Sequence, residues 1–133
     1  MAKELTDEMK QLIESVRFCN VATASGDAAP NVSPKGSLMW LDNETIAFCD
    51  FMSPHTRENL KANTKVAVSV VDPDGKQAFQ FKGTAQLLTS GDLYRKVADQ
   101  AKAKAKKGGR ELPDPANAAV IRIEEIFAFS PTK

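Results

Sequence analysis

Three turn sequences punctuate this chain: Ser25-Gly26-Asp27, Asp42-Asn43 and Asp72-Pro73-Asp74-Gly75. Each stands between short runs whose apolar residues alternate or are β-branched, the signature of strands joined by tight connections. The last has Pro second and Gly fourth, the chemistry of a type I turn. Residues 18–24 (FCNVATA), 31–41, 45–49 (TIAFC), 66–71 (VAVSVV), 77–88 and 118–129 read as strands, the final one broken around Glu124-Glu125. Pro34 and Gly36 interrupt the second run, which suits an edge or a bulge where backbone is free to meet something else. The run VAVSVV, apolar but for Ser69, is expected to be buried on both faces.

Helical spacing appears in three places. Met9, Leu12, Ile13 and Val16 follow Thr6, a usable N-cap, and predict a helix over 6–17. Ser53-Pro54 opens a short helix that ends near Asn63, with Ser at N-cap and Pro at N1. Ser90 is expected to cap a third helix with Leu93, Tyr94, Val97, Ala98 and Ala101 on one stripe, stopped by Gly108-Gly109. Residues 108–117 (GGRELPDPAN) form a surface loop insertion. Six strands with helices between them predict a mainly β protein, an antiparallel barrel with peripheral helices, and one domain over 1–133.

At 133 residues the chain can bury a core without staples. Its formal charge of +1, with acids and bases interspersed, argues against nucleic acid or an anionic membrane as partner. No apolar run is long enough for a membrane span, and the charged start MAKELTDEMK has no signal-peptide pattern. Cys19 and Cys49 form no C-x-x-C motif and read as buried, reduced thiols, so a cytoplasmic location is expected. The lysines at 102, 104, 106 and 107 read as a solvated helix face, and Trp40, on an alternating strand, as core.

The most informative stretch is Ser53-Pro54-His55-Thr56-Arg57-Glu58-Asn59-Leu60. A helix that starts there presents unpaired N–H groups and the positive end of its dipole, both of which stabilise a phosphate. His55, Thr56 and Arg57 add an imidazole, a hydroxyl and a guanidinium to that turn; the competing reading is a capped surface helix with incidental polar residues. Lys35-Gly36-Ser37 is the second candidate, against an ordinary bulge with a solvated lysine. His55 is the only histidine, so no His-based zinc site or Ser–His triad is available elsewhere. Walker and G-x-G-x-x-G motifs are absent from the sequence.

From about Leu12 to Phe129 the chain resembles the pyridoxamine 5′-phosphate oxidase-like family of FMN-binding split barrels. The carriers are Val21-Ala22-Thr23, the run from Pro30 to Ser37 (PNVSPKGS), Ile46 to Asp50 (IAFCD), Thr56 to Val68 (TRENLKANTKVAV) and Phe81 to Ala85 (FKGTA). The resemblance implies a six-stranded split barrel that binds FMN between the subunits of a homodimer. It implies that Ser33, Pro34, Lys35, Gly36 and Ser37 meet the flavin ring and ribityl chain, and that Asp50 and Phe51 contact the ring or ribityl oxygens. His55 and Thr56 then take the phosphate, Asn59 braces the helix turn, and Gln80 reaches across from the long strand.

Two departures bear on this. The phosphate position before Thr56, often Lys or Arg in that family, is His55, and the strand-borne Gln of the larger oxidases is Ala78, with Gln80 as substitute. The sequence stops at Ser130-Pro131-Thr132-Lys133 without the substrate-binding segment of the true oxidases, so vitamin B6 oxidation is not expected. The implied function is a flavoprotein oxidoreductase of unassigned substrate, with NAD(P)H a candidate small-molecule redox partner. The alternatives are flavin storage or electron carriage without catalysis, or a deazaflavin or haem in the same groove. The 108–117 loop is expected to border the flavin site as a mobile lid.

Overall fold

The computed structural model describes residues 3–51, 53–72, 74 and 76–129. Its elements, in chain order, are α1 (Asp7–Ser15), β1 (Cys19–Ala24), β2 (Pro30–Lys35), β3 (Met39–Asp42), β4 (Thr45–Asp50), α2 (Pro54–Ala62), β5 (Lys65–Val71), β6 (Ala78–Leu88), α3 (Asp92–Lys107) and β7 (Asn117–Phe129). The strands form one antiparallel sheet in the order β2-β1-β5-β6-β7-β4-β3. The class is the expected one, mainly β with peripheral helices, and the strands are seven rather than six.

The extra strand comes from a break at Gly36; Pro34 stays within β2, paired with Asn20. The break divides the expected 31–41 strand into β2 and β3, which stand at opposite ends of the sheet yet are joined by residues 36–38 alone. Seven flat strands would hold their outermost members about 29 Å apart. The four steps from Lys35 to Met39 span at most about 14 Å. The sheet must therefore roll up until its two ends meet.

Rolling produces an inner and an outer face. Val21, Val68, Phe81, Ile121, Ile46 and Phe48 fill the inside, and α1 contributes Met9, Leu12 and Ile13, with its C-cap Val16, to the same core. A second cluster lies outside β4 and β7, where Ala47, Cys49 and Ala118 receive Tyr94, Val97, Ala98 and Ala101 of α3. β4 is thus buried on both faces. β5 is not: Val66, Val68 and Val70 are inward, whereas Ser69 and Val71 are exposed. An apolar run does not mark a two-sided strand here, because the antiparallel sheet leaves the outer face of β5 uncovered by helix.

Several local expectations shift. Thr6 caps α1, its Oγ accepting from the Met9 N–H at 3.2 Å. Gly91, at φ +97°, takes the N-cap of α3 in place of Ser90, and Leu93 is exposed rather than on the buried stripe. β7 runs unbroken through Glu124-Glu125. The irregularity falls in its pairing, where Lys82 faces Glu125 and Gly83 faces Ile123, so Glu124 is the extra residue of a bulge. Gly83 is required there, since a Cβ would lie 2.0 Å from the Arg122 carbonyl oxygen. The Asp72–Gly75 turn falls partly outside the described residues.

Candidate functional site at the β4–α2 corner

β4 ends at Asp50, and the chain turns directly into α2 behind Ser53. Asp50 is 1% exposed, so a carboxylate there needs partners. It has three. The Ser53 N–H donates to Oδ1 at 2.9 Å, the Arg57 Nε–H donates to Oδ2 at 2.8 Å, and the Lys35 ammonium stands 4.0 Å from Oδ1. Lys35 arrives from β2, where it pairs with Cys19 and shares that residue's inner face. It is buried, not solvated, donates to Ser53 Oγ, and lies 5.6 Å from the centre of the Phe48 ring. Burial lowers its pKa, and the Asp50 charge opposes that shift.

Ser53 is the N-cap of α2 but its hydroxyl makes no capping bond. The first intrahelical bond is donated by Arg57 to the Ser53 carbonyl at 3.1 Å. The N–H groups of His55 and Thr56 therefore precede the helix ladder, at the positive end of its dipole. In the same turn Thr56 is 1% exposed and its Oγ1 has no hydrogen-bond partner among the described residues. A buried hydroxyl without a partner costs about 1–3 kcal/mol and asks for a ligand atom. The charge count agrees: two cations, Lys35 and Arg57, share one carboxylate. The corner carries one uncompensated positive charge, an orphaned hydroxyl donor and free helix N–H groups, a set that fits the phosphate of a nucleotide.

The other residues assigned by resemblance do not all converge there. Ser33 is half-buried on the inner face opposite Val21, whereas Pro34 is exposed on the outer face. Gly36 is exposed beside the Arg17 carbonyl and the Phe18 ring. The Ser37 hydroxyl is engaged by β4, accepting from the Cys49 N–H at 2.9 Å and donating to its carbonyl at 3.4 Å. Phe51 packs with the cluster under α3. His55 is exposed. Asn59 donates to Thr23 Oγ1 at 3.0 Å and ties α2 to β1. Gln80 sits on the outer face of β6, in the row Pro34, Asn20, Ser69, Gln80, three strand spacings (about 14 Å) from Pro34.

Ser53 and Arg57 complete the cluster although the resemblance assigns neither a flavin contact. Residues 114–116 of the 108–117 loop are tied to α3 and β4. Asp114 accepts from Arg95 Nη2 at 2.7 Å and from Lys102 at 3.0 Å, Tyr94 donates to the Pro115 carbonyl, and the Ala116 N–H donates to the Asp50 carbonyl at 2.8 Å. Its far end thus abuts the site from behind.

The model of the pyridoxamine 5′-phosphate oxidase family matches residues 5–129. This chain belongs to that family. An uncharacterized protein of Methanocaldococcus jannaschii is 34% identical to this family member over 128 residues, 93% of this chain and 80% of the relative. Among solved structures, HupZ of Group A Streptococcus is 31% identical with a TM-score of 0.81, covering 96% of this chain and 95% of its own. A candidate pyridoxamine 5′-phosphate oxidase of Lactobacillus delbrueckii is 27% identical with a TM-score of 0.77, covering 95% of each chain. An FMN-binding protein of Syntrophomonas wolfei (20% identical, TM-score 0.71) and an F420 reductase (24%, 0.66) share the fold. Among the described residues no helix is long and apolar enough to cross a membrane.

Proposed function

We propose that this member of the family is an FMN-binding flavoprotein and an oxidoreductase, with the phosphate of FMN held where β4 turns into α2. The observation that carries the reading is the buried, unpartnered Thr56 Oγ1 in the same helical turn as Arg57, beside a lysine that shares its only carboxylate. Thr56, Arg57, Lys35, the first N–H groups of α2 and the exposed His55 supply the donors. Asp50 holds the two cations in place, since Ser53 and Arg57 already occupy its oxygens. Ser33, Pro34, Gly36 and Ser37 border the ring mainly through backbone, with Phe51 at the strand end, and Asn59 keeps the helix turn against β1.

FMN, when bound, supplies the redox chemistry; the chain binds it, orients it and tunes its electrostatics. The outer face leaves Val32, Val71 and Phe129 exposed, and a homodimer that covers this face accounts for them. Gln80, on the same face, then serves a flavin bound across the interface rather than within one chain.

Calorimetric titration with FMN, with a deazaflavin phosphate as competitor, tests the site. Saturating FMN without heat or fluorescence quenching removes the reading. Anaerobic mixing of the loaded protein with NADH or NADPH then separates the roles: bleaching marks an oxidoreductase, and its absence with both donors favours storage or electron carriage.

A further inference from the structure

A groove of about 580 Å³ runs along β3, away from the first turn of α2. Its floor is Leu38, Met39, Trp40 and Leu41, four residues in sequence. Strand side chains alternate between faces, so a cavity that touches consecutive residues lies along the strand's edge. β3 is the last strand of the sheet and pairs on one side only, with β4. Its other backbone edge faces the groove without a strand partner. One wall is α3, through Lys96, Gln100, Ala103, Lys104 and Lys107, a spacing that places all five on one side of the helix. Glu14 of α1 stands opposite.

The charges of this groove are unbalanced. Among the described residues Lys96, Lys104 and Lys107 have no carboxylate within 4.0 Å, whereas Arg95 and Lys102 on the neighbouring side of α3 are both paired with Asp114. Lys104 donates to the Val16 carbonyl at 3.3 Å. Glu14 is occupied, accepting from Trp40 Nε1 at 2.7 Å, with Lys10 over the same ring at 4.5 Å. An apolar floor beneath three ammonium groups, against the single Glu14 carboxylate of the lining, complements a molecule with an apolar body and an anionic head, and the volume is that of a small-molecule site rather than of a protein interface.

We propose that the groove between α1, the free edge of β3 and the lysine side of α3 binds a small amphipathic carboxylate. The apolar tail lies along Leu38–Leu41 and the head meets Lys104 and Lys107, neighbours one turn apart on α3. This site shares only Ser37 with the proposed flavin segment, and its existence does not depend on the flavin reading.

Trp40 is the only tryptophan, so its emission reports on this groove alone. Titration with dodecanoate below its micelle concentration should shift that emission saturably, whereas dodecyltrimethylammonium, a cation on the same chain, should not. The double variant Lys104→Gln, Lys107→Gln should weaken dodecanoate by about tenfold or more. Ala103→Phe, which fills the groove and keeps every charge, should weaken it as much. FMN titrated into the same variants serves as the control for folding and is expected to bind as it does to the parent. No saturable shift in the parent, an equal response to the cation, or parental affinity in both variants would overturn the proposal. If the parent binds dodecanoate but not FMN, the flavin reading fails and this one stands.

Discussion

Arg57 donates to Asp50 through Nε alone, at 2.8 Å, which leaves both terminal nitrogens of its guanidinium without a protein partner among the described residues. The carboxylate fixes the plane of the side chain from one edge while the forked end stays available. Such a fork matches two phosphate oxygens at once, and a lysine in its place would not. Arg57→Lys should therefore weaken FMN by about tenfold or more, since a charge-assisted bond to a bidentate donor is worth about 1.5–3 kcal/mol. Calorimetric titration checks it.

Thr56→Val is expected to act in opposite directions on stability and on binding. The valine removes a buried hydroxyl that has no partner, so the unliganded protein should keep its Tm or gain by about 1 kcal/mol. FMN affinity should fall by about tenfold for the lost donor. A loss of stability without loss of affinity would mean that the hydroxyl has a structural partner and no ligand.

Asp50→Asn leaves two cations, one of them buried, with no carboxylate between them. Breaking such a cluster costs about 3 kcal/mol. Added phosphate or FMN should recover part of that loss, because the anion takes over the missing charge. Melting curves with and without ligand give the comparison; equal shifts in parent and variant would place the anion elsewhere.

The two thiols set a pH limit. Burial raises Cys19 from its ordinary 9.0 to about 11 and Cys49 to about 12, with the Asp50 charge adding to the latter. A thiol whose folded pKa is raised binds its proton more tightly in the folded state. Its contribution is complete below the unfolded value, near pH 9, and is lost as pH rises through the folded values. Between them the loss approaches about 1.4 kcal/mol per pH unit for each thiol. Urea titrations at pH 8 and pH 10.5 should show it, with a smaller difference in Cys49→Ala. At neutral pH the folded protein should resist thiol reagents.

The exposed outer face gives the prediction on assembly. Val32, at 66% exposure, stands in the row Val32, Ala22, Ala67 of small and apolar residues. Val32→Asp should convert a dimer to a monomer in sedimentation at micromolar concentration, with circular dichroism unchanged. A parent protein that sediments as a monomer would remove the dimer and, with it, any role for Gln80 at a neighbour's flavin.

Strand content and helix starts were legible because they depend on neighbours in sequence: the turns at 25–27 and 42–43, the cap at Thr6, the proline at α2. Pro34 and Gly36 marked an interruption, but nothing local says that the halves on either side will become opposite ends of a sheet. That outcome is decided by which strands pair at long range, β1 with β5 and β4 with β7. Burial of Lys35 was hidden for the same reason, since the carboxylate and ring that receive it come from β4. Arg57 carried a faint signal, seven residues beyond Asp50 across a strand-to-helix corner. The extra residue at Glu124 was announced by the polar pair Glu124-Glu125, read as a break in the strand, and by Gly83, a glycine that reads as a weak strand position until Arg122 is seen against it.

Lys35 belongs to the first strand of the sheet and Asp50 to the sixth, so their contact works as a clasp rather than as a rung of any ladder. Every strand pairing can persist while the clasp is open. The anion site, which takes one cation from each side, cannot. Occupancy of the proposed site then reports on this side-chain contact, between ends that residues 36–38 already hold within reach. In rising denaturant the ligand should leave before the β-sheet signal declines, and a loaded protein should hold its shape to higher denaturant than an empty one.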